Sequence, residues 1–158
     1  MSILFSKEII AVTWINEPNV AYVVGATVDK LQLVDDMIYT IHYKGGTSKQ
    51  LIIPKSFRFE GSVPSITWSL TRVTSSSPEA LPGWCLHDML YCLVKVNLVD
   101  RAEADLCLKF CLKNRFNFLQ VSVVYYSVRV FGGIYANRTP TDADLIDINL
   151  FKSCNLAD

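Results

Sequence analysis

The strongest constraint in this chain is a strict alternation of side chains between positions 37 and 43, followed by two glycines and a second run ending at 53. Met37, Tyr39, Ile41 and Tyr43 fall on one face of an extended chain, and Ile38, Thr40 and His42 fall on the other. Lys44-Gly45-Gly46-Thr47-Ser48 follows, and then a second run, Gln50-Leu51-Ile52-Ile53. A run, a Gly-Gly turn and a second run predict a β-hairpin. Pro54 closes it, because proline has no N–H to give to a ladder. Residues 8–15, 20–28 and 31–34 are further β-branched and aromatic runs, separated by 16–19 and by Asp29-Lys30, and each is expected to be a strand. Residues 56–70 are mixed, broken by Gly61 and Pro64. Ser75-Ser76-Ser77-Pro78, Pro82 and Gly83 make 71–83 read as a loop.

At Trp84 the pattern changes. Residues 84–96 have the length and composition of a buried helix, and 97–99 form a tight connection. Asp100 followed by Glu103 forms a capping box that opens the next helix, which runs to about residue 114. Residues 116–131 are rich in β-branched residues and partly alternate, yet are read as helix. Pro140 is placed to open a last short helix through about 151. The expected class is α+β: an N-terminal antiparallel β-sheet followed by a C-terminal bundle of about three helices. Residues 1–158 form a single domain, with 1–70 mainly β, 71–83 loop and 84–158 mainly α.

Composition narrows the function classes. The chain has 158 residues, 51% of them hydrophobic and 19% charged, enough to bury a core without staples. Fifteen basic and fifteen acidic residues cancel, and no basic cluster is present, which argues against nucleic-acid binding. Near-zero charge with high apolar content favours association with other proteins or with itself. Five cysteines occur, at 85, 92, 107, 111 and 154, without a CxxC pair, and read as free thiols packed as small hydrophobes. Residues 1–12 lack a basic start and are interrupted by Lys7 and Glu8, so no signal peptide is expected. Residues 118–136 contain Gln120 and Arg129 and read as a core element rather than a transmembrane segment.

One constellation carries chemistry. Cys85-Leu86-His87-Asp88-Met89-Leu90-Tyr91 is followed by Arg101-Ala102-Glu103-Ala104-Asp105. On a helix His87 and Tyr91 share a face. Histidine can serve as a base near neutral pH. Asp88, projecting elsewhere, could hold a hard cation such as Ca2+, and Asp105 could orient the imidazole by accepting its other N–H. Antiparallel helices joined at 97–99 would place Asp105 nearer Tyr91 than His87. The same residues also suit a purely structural polar network, with Asp88 favoured near a helix start. His42 and the acidic residues Asp142, Asp144 and Asp147 read as solvated. Trp14, Trp68 and Trp84 read as core or interface anchors.

His-Asp-x-x-Tyr followed by Arg-x-x-x-Asp resembles the catalytic helices of secreted phospholipase A2, above all its short prokaryotic forms. That resemblance implies a calcium-assisted lipid or ester hydrolase, with a phospholipid substrate at the host envelope. It would make His87 the general base, Asp88 a calcium ligand, Asp105 the orienting acid and Tyr91 part of the supporting network. A longer stretch resembles a family of small, uncharacterised tailed-bacteriophage proteins. It is carried by Ile53-Pro54-Lys55-Ser56-Phe57, Gly61-Ser62-Val63-Pro64, Trp68, the His87–Tyr91 motif, Arg101 with Ala104-Asp105, and Val128-Arg129-Val130-Phe131-Gly132. This resemblance implies a phage structural or accessory protein, a minor particle or tail-associated component, located in the virion or host cytoplasm with other phage proteins as partners. Where those proteins carry Thr-Asp, this chain has Arg58-Phe59, and Glu60 is the acid that would substitute as a metal ligand.

Overall fold

The computed structural model describes residues 8–23, 30–61, 65–74 and 77–156. Six strands precede the helices: β1 (Ile9–Trp14), β2 (Val20–Tyr22), β3 (Leu31–Leu33), β4 (Met37–Tyr43), β5 (Ser48–Ile53) and β6 (Arg58–Phe59). The helices are α1 (Ser65–Thr71), α2 (Leu81–Val94), α3 (Arg101–Leu112), α4 (Phe118–Phe131), the short α5 (Gly133–Ala136) and α6 (Asp142–Asn155). The class is α+β, with antiparallel strands first and helices after.

The hairpin forms where the alternation places it. β4 and β5 pair from Met37↔Ile53 to His42↔Ser48, and Gly45 and Gly46 both take positive φ, which glycine adopts without steric cost. Tyr39, Ile41, Tyr43, Leu51 and Ile53 are fully buried, so one face of the pair is core. The strands make two three-stranded sheets, ordered β1-β4-β5 and β2-β3-β6, where the sequence led us to expect one. The division lies between β3 and β4. There Asp35 accepts from Asn19 and Asp36 accepts the Lys55 amide, turning the chain out of one ladder and into the other. Of the expected strand 20–28, residues 20–22 are strand and 24–28 lie outside the described residues.

Two expectations are corrected after β5. The mixed stretch 56–70 contains both β6 and α1. The expected loop 71–83 holds a 3-10 turn at Pro78–Ala80 and the first turn of α2. Pro82 fits there because the first helical N–H groups have no intrahelical partner to lose. Gly83 lies in close packing: a Cβ would lie 3.0 Å from Leu108 Cδ1 and 3.3 Å from Cys111 Cβ. The last helix begins at Asp142 rather than Pro140, because Thr141 is its N-cap and accepts the Asp144 amide.

α2 runs through the centre, packed on α3, α5, α6 and β6, while α3 lies on β1 and α6 on β5. Along α2 only Asp88 and Val94 are less than buried, as expected of a helix that is apolar all round. Trp84 is fully buried and its indole N–H donates to the Thr74 carbonyl at 3.1 Å. Gly61 sits against that ring at φ +62, and a Cβ there would fall 2.6 Å from Trp84 Cγ. Gly61→Ala is therefore expected to cost about 2–4 kcal/mol from a strained φ and overpacking together, read as a lowered urea midpoint with an unchanged slope.

Candidate functional site

α2 and α3 place the predicted residues together. The α3 capping box forms, with the Asp100 N–H donating to Glu103 at 3.2 Å, and fixes the register of the helix that carries Asp105. His87, Tyr91 and Asp105 then meet in the interior. His87 Nε2 stands 3.0 Å from Asp105 Oδ1, and the Tyr91 hydroxyl donates to the same oxygen at 2.6 Å. Asp105 does lie nearer Tyr91, as the helix offset predicted, but reaches His87 as well. The two rings lie tilted against each other, with centroids 4.1 Å apart, so one oxygen serves both. An ionised carboxylate only accepts, so Nε2 carries a proton, and in the neutral imidazole the lone pair is on Nδ1.

Nδ1 is buried and has no hydrogen-bond partner among the described residues. Asp88 Oδ1 is 3.6 Å away, beyond hydrogen-bond length. Buried polar atoms are rarely left unpaired. The His87 side chain is only 5% exposed, yet it lines an open cleft of about 560 Å³ with Asp88, Tyr91 and Glu60 on its walls. Burial disfavours the imidazolium, but Asp105 and Asp88 outweigh it and hold the His87 pKa above its usual value. Burial would likewise push the Asp105 carboxyl up, but hydrogen bonds from His87, Tyr91 and Arg129 bring it below the ordinary range.

Asp88 is half-exposed, and its Oδ2 accepts the backbone N–H groups of Glu60 and Gly61, each at 3.0 Å. Calcium takes six to eight oxygen ligands. Asp88 has one oxygen committed to amides, and no group of three or more His, Cys, Asp or Glu placed to hold a metal occurs among the described residues. Asp88, the calcium ligand implied by the phospholipase resemblance, and Glu60, the substitute acid implied by the phage resemblance, thus belong to no such group among the described residues. The Ser62-Val63-Pro64 stretch lies outside the described residues.

Local spacing did not reach Arg129. Its guanidinium donates to Asp105 Oδ2 at 2.8 Å from α4, 24 residues away in sequence. The only signal for it was its place in the phage-like Val128–Gly132 stretch. The acidic residues of α6 are also less solvated than expected. Asp144 is half-buried and paired with Lys95 at 2.8 Å, and both it and Asp147 line the cleft. Burial, with Asp144 nearby, pushes the Asp147 pKa up to about 6. An acid whose native pKa is raised binds protons more tightly when folded, so stability falls as pH rises from about 4 through 6. Asp147→Asn is expected to raise stability at pH 7 by on the order of 1 kcal/mol after solvent screening, with the gain absent at pH 4. Thermal melts at the two pH values check this.

His42 bonds Thr13 across β1 and β4 at 2.9 Å and takes no part in the site. Cys85, Cys92, Cys107 and Cys111 are free and buried, and burial raises all four thiol pKa values. No helix among the described residues is long and apolar enough to cross a membrane. No family model, curated protein or solved structure matches this chain.

Proposed function

We propose that the chain is a hydrolase that uses His87 as the base for an attacking water, on an ester or phospholipid substrate held in the cleft. One observation carries this reading: a buried histidine that belongs to the cleft wall is bonded through Nε2 to a buried aspartate, and its Nδ1 has no hydrogen-bond partner among the described residues. In the reaction, Nδ1 takes a proton from water while the water oxygen bonds to the ester carbonyl carbon. Asp105 stabilises the imidazolium. The carbon–oxygen ester bond then breaks, and the proton passes from Nδ1 to the departing alkoxide. Val128, Phe131 and Ile134 form an apolar cleft wall suited to an acyl chain.

The test is a substrate panel of short-chain esters and phospholipid vesicles, each with calcium and with a chelator. Hydrolysis of at least one class, insensitive to chelation, is expected. A pure protein inert on every member would overturn the reading.

A second reading is a minor tail-associated or accessory component of a phage particle. It is favoured by the apolar residues exposed along α4, where Phe118, Leu119, Tyr126 and Val130 face outward. A monomeric protein absent from purified particles by mass spectrometry would count against it.

A further inference from the structure

The geometry points to Arg129 as a positioning residue that holds the Asp105 carboxylate so that neutral His87 keeps a single tautomer, with Nε2–H toward Asp105 and the lone pair on Nδ1. Its kinetic consequence rests on the hydrolase reading; its structural consequence does not.

A carboxylate turns easily about its terminal torsion, whose energy wells are broad. His87 and Tyr91 both use Oδ1 and leave Oδ2 to choose the rotation. The Arg129 guanidinium takes Oδ2 and is the donor that α4 supplies. Arg129 is itself anchored. Its backbone carbonyl lies in the last turn of α4, where carbonyls lack intrahelical partners, and accepts Arg101 Nη2 at 3.0 Å. Arg101 and Asp105 are four residues apart on α3, so the two helices clasp each other: α3 donates to the α4 backbone, and α4 donates back to the α3 carboxylate.

The space for this clasp comes from Gly132-Gly133. A Cβ on Gly133 would stand 2.7 Å from Arg101 Nη1, and one on Gly132 would overlap the Tyr91 hydroxyl. The bracing is thus built into the α4–α5 junction. Asp88 and Tyr91 on α2, Arg101 on α3 and Tyr125 on α4 are the other charged or titratable groups acting on this network.

The experiment is long-range 1H–15N spectroscopy of the imidazole in a His42→Gln background, which leaves His87 as the only histidine. The wild-type residue 129 is compared with Arg129→Lys and Arg129→Met. At a pH above the raised pKa of His87, the parent is expected to show one tautomer and a low-field Nε2 proton. Arg129→Met should show mixed tautomers and lose that proton signal, and Arg129→Lys, which keeps the charge, should recover it in part. In the ester assay, kcat should fall roughly tenfold to a hundredfold in Arg129→Met with KM unchanged, and Arg129→Lys should fall between. Should the methionine variant fail to fold, the lysine variant decides by the same spectrum. An unaltered tautomer and low-field proton in the folded variants would overturn the role of Arg129. A parent protein without hydrolase activity overturns the hydrolase reading alone, and the spectrum still decides the inference.

Discussion

Asp105→Ala is expected to lower stability by about 3–5 kcal/mol, measured by urea unfolding at pH 7. Asp105 is fully buried and accepts from three side chains on two neighbouring helices. Removing it leaves the His87 Nε2–H and the Tyr91 hydroxyl as donors without an acceptor. It also leaves a guanidinium, one third exposed, without its counter-charge. The cavity that remains adds to the cost. The pH dependence has a definite sign. The depressed native pKa of Asp105 means that its contribution is complete above the ordinary value of 3.8 and is lost as pH falls through the native value. His87, whose pKa is raised, contributes fully below its ordinary value of 6.5 and loses that contribution as pH rises through the native value. The gap between wild type and Asp105→Ala should therefore be widest between these limits and should close in acid.

The parts of the fold that were legible are those where one local rule acts without competition. Alternation in 37–43, two glycines and a second run at 50–53 favour a hairpin, and the observed pairing runs unbroken from Met37↔Ile53 to His42↔Ser48. Asp100 and Glu103 likewise made a capping box visible in the sequence. Of residues 116–131, Phe118–Phe131 fold as helix despite their β-branched content, because Asn117 and Gln120 cap the start reciprocally and Val121, Val124 and Val128 make one buried stripe. Tertiary packing outweighs propensity there.

What stayed hidden depended on contacts distant in sequence. The break between the two sheets rests on Asp35 with Asn19 and on Asp36 with Lys55, and no short window joins those residues. Pro82 and Gly83 looked like loop punctuation. In the fold they open α2, and α3 packs tightly over Gly83. The site divides in the same way. His87, Tyr91 and Asp105 were visible because helical spacing links the first two and one short turn brings the third. Arg129 comes from another helix and Asp88's amide partners from another loop, so neither the clasp nor the capture of Asp88 by Glu60 and Gly61 has a local signature.

The same geometry makes His87 the most consequential residue for activity. Its Nδ1 is the one nitrogen of the pair left for a ligand, and a positioned base contributes about a hundredfold to ten-thousandfold. The decisive measurement is kcat for wild type and for His87→Asn on the best substrate of the panel, with circular dichroism showing that both are folded. A fall of at least about a hundredfold is the predicted result. A folded His87→Asn protein that turns over at the wild-type rate would contradict the account.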